Sequence, residues 1–131
     1  MKAVLIMGSD SDRAHAEKIT SSLEELGVGF EVLVASAHKS PEKVLEIIRS
    51  YKKGDRVAFV TIAGRSNALS GFVAANTEKP TFACPPFKDK VDMSINIHST
   101  LQMPSNTPVL TVLDPGNCAL AVYRVLNLEN L

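Results

Sequence analysis

Three short polar segments carry the side chains of this sequence best equipped for chemistry: Gly8-Ser9-Asp10-Ser11-Asp12, Ser36-Ala37-His38-Lys39-Ser40-Pro41 and Ala63-Gly64-Arg65-Ser66-Asn67. His38 is the candidate proton carrier, because an imidazole titrates near neutrality and moves a proton in either direction. Ser9 and Ser11 offer hydroxyl donors and Asp12 an acceptor for a ribose diol. Backbone amides at a helix start favour a phosphate. The same Ser and Asp types are ordinary helix caps, and the two roles are compatible. Lys39 offers a point charge for a phosphate. Arg65 offers a forked cation suited to a carboxylate, with the Ser66 hydroxyl and the Asn67 amide beside it at another helix start; Ser66 also reads as a cap. His15 and His98 lack such a setting and read as a helix-surface residue and a residue of a helical segment. No Walker lysine and no Gly-x-Gly-x-x-Gly is present, so ATP and dinucleotides are poorly supported.

These segments need a frame that brings them together. Each follows an apolar run, at 3–7, 30–35 and 57–62, and each leads into helical spacing. Strands are expected at about 2–7, 29–35, 56–62, 80–83 and 108–113. Helices are expected at about 13–26, 41–51, 66–76, 93–102 and 117–126. The first helix has Ala14, Ile19, Leu23 and Leu26 on its apolar face and stops at Gly27, a residue tolerant of positive φ. Ser40 is the expected cap of the second, with Pro41 at its first position and Val44, Leu45, Ile47 and Ile48 facing inward. Cys84-Pro85-Pro86-Phe87 ends the fourth strand as an apolar wall that no helix crosses. Gln102-Met103-Pro104 either ends a helix or lines the site.

Strands without polar alternation, separated by helices, predict a parallel sheet covered on both faces. The expected fold is α/β, three-layered and flavodoxin-like, with strand order 2-1-3-4-5 and residues 1–131 forming one domain. That order sets strands 2, 1 and 3 side by side. The three polar segments then meet at the switch point between strands 1 and 3, where open parallel sheets bind ligands.

Composition narrows the partners. Hydrophobic residues make up 45% of the 131 and charged residues 21%, as in an ordinary globular chain. Lysine plus arginine equals aspartate plus glutamate at 14 each, without a basic block, which argues against nucleic acid. With 5% aromatic residues and no Trp, base-stacking platforms are also disfavoured. No apolar run reaches membrane-spanning length, and the start is too short and too quickly polar for a signal peptide. Cys84 and Cys118 lack a metal-ligand spacing and read as reduced core thiols of a cytoplasmic protein, with no metal expected.

Taken together and in order, the Met-Gly-Ser-Asp-Ser-Asp start, Ser-Ala-His-Lys, Ala-Gly-Arg-Ser-Asn-Ala-Leu-Ser-Gly, Cys-Pro-Pro and Gln-Met-Pro closely resemble the 5-aminoimidazole ribonucleotide carboxylases of purine biosynthesis, the PurE family. The likeness spans nearly the whole chain. Lys39 stands where the mutase branch usually has arginine, and Gly64-Arg65-Ser66-Asn67-Ala68-Leu69 replaces that branch's Gly-Gly-Ala-Ala-His-Leu, removing its histidine. Both features resemble the branch that uses carbon dioxide directly.

The resemblance implies reversible carboxylation of 5-aminoimidazole ribonucleotide (AIR) by carbon dioxide to 4-carboxy-AIR, with neither ATP nor any other cofactor. It implies that Ser9 and Asp12, with Ser11 close by, contact the ribose-phosphate. Ser36 and Lys39 complete the phosphate end, His38 transfers the proton, and Gly64, Arg65, Ser66 and Asn67 border the aminoimidazole and carbon dioxide. It further implies a homo-oligomer, tetramer or octamer, with Met103 and Pro104 near a neighbouring site; relatives often continue past the last core helix, whereas this sequence stops at Leu131. Two alternatives stand beside it: an N5-carboxyaminoimidazole ribonucleotide mutase, and a nucleotide-binding module without turnover, which would give His38 no task.

Overall fold

The computed structural model describes residues 1–131. The apolar runs form parallel strands β1 (Lys2–Met7), β2 (Gly29–Val34), β3 (Val57–Ile62), β4 (Thr81–Ala83) and β5 (Leu110–Thr111), ordered β2-β1-β3-β4-β5. All six residues of β3 are buried, and only Lys2 of β1 is not. Side chains alternate between the faces of a strand, and the core divides accordingly. Ala3, Leu5, Met7, Ala58, Val60 and Ile62 face one apolar cluster; Val4, Ile6, Val57 and Phe59 face the other.

Helices α1 (Arg13–Glu25) and α6 (Pro115–Leu126) cover the first face through Ile19, Leu23, Val122 and Leu126. Helices α2 (Pro41–Arg49) and α3 (Ala68–Ala75) cover the second through Val44, Ile48, Leu69 and Val73. The expected three-layered, flavodoxin-like fold is therefore present. Cys84 and Cys118 are buried free thiols, and no helix is long and apolar enough to cross a membrane.

Helix α1 ends as its sequence predicts. Gly27 has φ 72°, its amide donates to the Glu24 carbonyl, and the Val28 amide donates to that of Leu23. This pair of bonds closes a Schellman cap, with Val28 packed into the same cluster as Leu23.

Several local expectations are corrected. Ala14 is exposed, and Ala16 takes its place in the stripe with Ile19 and Leu23. Ser40 does not cap α2 with its side chain; its hydroxyl is held by Ser36. Helix α3 begins at Ala68 rather than Ser66, because Asn67 supplies the cap, its Oδ1 accepting from the Ser70 amide at 3.1 Å. The expected helix over 93–102 is two pieces, α4 (Lys90–Asn96) and α5 (His98–Leu101). Helix α4 starts early because Asp89 accepts from the Asp92 amide at 2.8 Å. Likewise α6 starts at Pro115, with Asp114 accepting from the Asn117 amide. Strand β5 is only two residues long, because it pairs solely with the carboxyl end of the short β4. His15 is not a free surface residue: its Nε2 lies 3.1 Å from the Cys84 carbonyl oxygen.

Candidate active site

The parallel register places the carboxyl ends of β1, β2 and β3 level, with Met7 opposite both Val34 and Ile62. The loops that leave these ends line one cavity of about 620 Å³, within the range of roughly 300–1,000 Å³ typical of small-molecule pockets. Gly8, Ser9, Ser11 and Asp12 come from the first loop, Ser36, Ala37 and His38 from the second, and Ala63, Gly64, Arg65 and Ser66 from the third.

The first loop is a short 3-10 turn, Asp10–Asp12, entered through an extended Ser9. The Ser9 and Ser11 hydroxyls lie 2.9 Å apart and the Ser11 amide donates to Ser9 Oγ at 3.3 Å, so one cap organises a pair of exposed hydroxyls. Asp12 sits at the start of α1 with no cap bond from its side chain. Partial burial raises its carboxyl above the ordinary aspartate range.

The second loop is a turn tied at its base. The Ser36 amide donates to Ser40 Oγ at 2.9 Å, the Ser40 hydroxyl donates back to the Ser36 carbonyl, and the Lys39 amide donates to Ser36 Oγ at 3.2 Å. None of these bonds uses the His38 imidazole, which is exposed at the tip of the turn and faces the cavity. An imidazole so placed is free to exchange a proton with a bound molecule. The Lys39 side chain does not line this cavity; it borders an adjoining groove with residues of α2.

The third loop is shaped by close approach and buried bonds. A Cβ on Gly64 would stand 2.5 Å from the Pro86 carbonyl oxygen, so only glycine fits between this loop and the one after β4. Ser66 has φ 43°, in the left-handed region, and Ala68 donates to the Ser66 carbonyl at 2.7 Å across Asn67. With Asn67 at φ −67° and ψ 84°, this is an inverse γ-turn. Asn67 itself is 5% exposed and does not line the cavity. Its Nδ2 donates to Ser70 Oγ at 2.6 Å and to Thr100 Oγ1 at 2.9 Å, so its amide is spent on the frame.

A fourth wall comes from residues not singled out as ligands in the sequence: Pro86, Phe87, Lys88 and Asp92. The Pro-Pro segment marked an apolar wall, and the cation and carboxylate follow it immediately. Their position after the fourth strand was the available signal. The Asp92 carboxylate accepts from the Lys88 amide at 2.9 Å and from Asn96 Nδ2 at 2.6 Å. Those bonds, chiefly the first, and the nearby Arg65 hold it below the usual carboxylate range. Met103 and Pro104 border a separate groove beside β5.

The cavity therefore offers hydroxyls and a carboxylate at one end and an unengaged imidazole beside them. The loop bearing Arg65 and the wall of Pro86 and Phe87 complete the lining. This suits a phosphorylated heterocycle held for proton transfer.

The family model described as AIR carboxylase matches residues 2–131. The chain is 53% identical over 130 residues to a phosphoribosylaminoimidazole carboxylase of Archaeoglobus fulgidus, covering 99% of this chain and 71% of that protein. It is 44% identical over 128 residues to a protein of Methanocaldococcus jannaschii named N5-carboxyaminoimidazole ribonucleotide mutase, covering 96% of this chain and 79% of that one. The crystal structure of Treponema denticola PurE superposes with a TM-score of 0.88 at 42% identity, over 97% of this chain and 80% of that one.

Proposed function

Because the chain belongs to the AIR carboxylase family and is accordingly a carboxy-lyase of purine biosynthesis, we propose that it joins carbon dioxide directly to AIR, reversibly, with His38 as the proton carrier. AIR is an enamine. Its exocyclic amino group pushes electrons through the ring double bond, and the ring carbon attacks carbon dioxide. One carbon–carbon bond forms, and one oxygen of carbon dioxide takes the negative charge. The ring carbon then carries both the new carboxylate and its original hydrogen. Neutral His38 removes that proton, and the electrons of the C–H bond restore the aromatic ring. In reverse, the imidazolium returns the proton to carbon and carbon dioxide departs. The substrate supplies its own electron push, so the step calls for no ATP, biotin or metal.

In this reading Ser9, Ser11, Asp12 and Ser36 hold the ribose-phosphate, and Lys39 lends charge from the adjoining groove. Arg65, with Gly64 and Ser66, stabilises the developing carboxylate, as groups aimed at emerging charge do. Holding a weakly bound gas against the ring carbon is a matter of orientation and exclusion of water; Pro86 and Phe87 serve that end. The observation that carries the proposal is the convergence of three strand-end loops on one cavity beside an imidazole with no competing partner.

A second reading, the carbamate mutase, is favoured by the name of the Methanocaldococcus relative. Arg65-Ser66-Asn67, in place of that branch's histidine segment, favours direct carboxylation instead. The test is an ATP-free assay offering AIR with carbon dioxide, and separately the N5-carbamate, each followed by formation of 4-carboxy-AIR. The proposal expects product from AIR and carbon dioxide. Preference for the carbamate would select the mutase, and tight binding without turnover would select a non-catalytic module.

The proposal extends to residues 1–131 as one catalytic domain, acting in the cytoplasm as a homo-oligomer, tetramer or octamer. Val91 and Ile95 on α4 and Leu101 on α5 are 68%, 66% and 56% exposed, which supports a face covered by another copy.

A further inference from the structure

The loop carrying Arg65 and Ser66 is held by its neighbours in sequence and also by residues far along the chain. The Asn67 amide donates to Ser99 Oγ at 2.8 Å, and Asn67 Nδ2 donates to Thr100 Oγ1 at 2.9 Å, contacts 32 and 33 residues away. Asn67 Nδ2 also reaches Ser70 Oγ at 2.6 Å, Ser70 Oγ lies 2.7 Å from Thr61 Oγ1, and the Thr61 hydroxyl donates to the Phe82 carbonyl at 3.2 Å. The chain of bonds runs without a gap from β4 through β3 and α3 to α5. Ser70, Thr61 and Thr100 are 0%, 0% and 1% exposed, and no buried side-chain polar atom in the molecule lacks a partner.

A serine in the left-handed region, as Ser66 is, is sparsely populated backbone and persists only where its surroundings over-determine it. Asn67 is the residue so determined, and Ser66 is the residue that bears the consequence.

We infer that Ser99 and Thr100, through Asn67, are positioning residues that fix Arg65 and Ser66 at the rim of the cavity, so that the guanidinium meets charge appearing only during carboxylation. This deepens the carboxylase reading and rests on it. A group that acts on developing charge affects the chemical step more than substrate binding. The ribose-phosphate end, on the first two loops, lies outside this network.

The test uses Thr100→Val, which keeps shape and removes the hydroxyl, Thr100→Ser, which returns it, and Ser99→Ala. Activity with AIR and carbon dioxide is measured at a temperature below the onset of each variant's own thermal unfolding, alongside hydrogen exchange of the peptide covering residues 63–70. Thr100→Val and Ser99→Ala are each expected to lower kcat about tenfold with KM for AIR within about twofold. Both should accelerate exchange in that peptide while leaving β1 protected. Thr100→Ser should recover most of kcat. A lowered Tm with unchanged kcat and unchanged exchange would mean that the network serves stability alone, and the inference would be overturned. If the wild type itself fails to carboxylate AIR, the functional reading falls, and hydrogen exchange then decides whether the loop is held as described.

Discussion

The two sides of the cavity are built by different means. The side formed by the first two loops is held by local bonds: Ser9 with Ser11 and Ser36 with Lys39, exposed, and Ser36 with Ser40, partly buried. The side formed by the third loop and the wall after β4 adds long-range contacts to its local bonds: Gly64 against Pro86 and Asn67 against Ser99, partly buried, and Asn67 against Thr100, buried. Short turns that close on themselves can adjust to a flexible phosphate and ribose. A reacting carbon, a gas molecule and a nascent charge need fixed positions, and interlocked backbone supplies them.

The comparison can be broken at His38, the one proposed reactive group, which sits on the locally built side. His38→Asn is expected to lower kcat by about 10²–10⁴-fold, the usual weight of general acid–base catalysis, with unchanged circular dichroism. An exposed side chain with no bonds to the frame should be removable without loss of stability. Retained turnover would remove the proton-transfer role from the second loop.

Paired glycines sharpen the contrast. A Cβ on Gly8 would meet its nearest atoms at 3.7 and 3.8 Å, ordinary contact, whereas on Gly64 it would meet a backbone oxygen at 2.5 Å. Gly64→Ala is expected to cost about 1–3 kcal/mol in denaturant unfolding, as overpacking does, and to lower kcat ten- to a hundredfold. Gly8→Ala should leave unfolding within about 0.5 kcal/mol of wild type. Equal effects would mean that the two sides are equally tolerant.

The smallest expected effect separates a carboxylate in the site from one in the frame. Asp12 has its carboxyl raised by burial, so ionisation opposes folding. The penalty appears as pH rises through the window between the unfolded and folded values, and is fully present above it. Asp12→Asn should therefore raise Tm slightly at pH 7 while weakening AIR binding, and the gain should vanish in acid. Glu31 on β2 is the opposite case. It accepts from the Tyr51 hydroxyl at 2.6 Å and from Lys2 Nζ at 2.9 Å, and these bonds lower its carboxyl. Its contribution is present above the unfolded value and is lost as pH falls through the folded one. Glu31→Gln should lower Tm slightly at pH 7 and not at all in strong acid. Because Glu31 is exposed, the difference should shrink with salt. Thermal melts of both variants from pH 3 to 7 check the two signs.

Legibility followed the same division. The strand order, the two covered faces and the meeting of three loops could be read in advance, because apolar runs, helix spacing and the handedness of crossovers are local or nearly so. So could the Gly27 cap. The hydroxyls of the first loop and the turn bearing His38 were also readable, since Ser, Asp and His within a few residues can only act nearby. The capping role of Asn67 was not, because Ser66 is an equally good cap by type and only Thr100 and Ser99 decide between them. Lys39 shows the limit within a turn: one residue past His38, the side chain leaves the cavity for the neighbouring groove. Lys88 and Asp92 were missed as lining residues because their place after the fourth strand puts the segment near the site without marking which of its side chains turn inward.

By itself the sequence determined the layered sheet, the order of its strands and the cluster of chemical groups at their carboxyl ends, since burial pattern and chain chirality leave few other arrangements. Only the tertiary structure decided which of those groups face the cavity and which are spent on holding it. That choice turns on contacts more than thirty residues apart and on a gap too narrow for a single methyl group, distances on which local pattern carries no information.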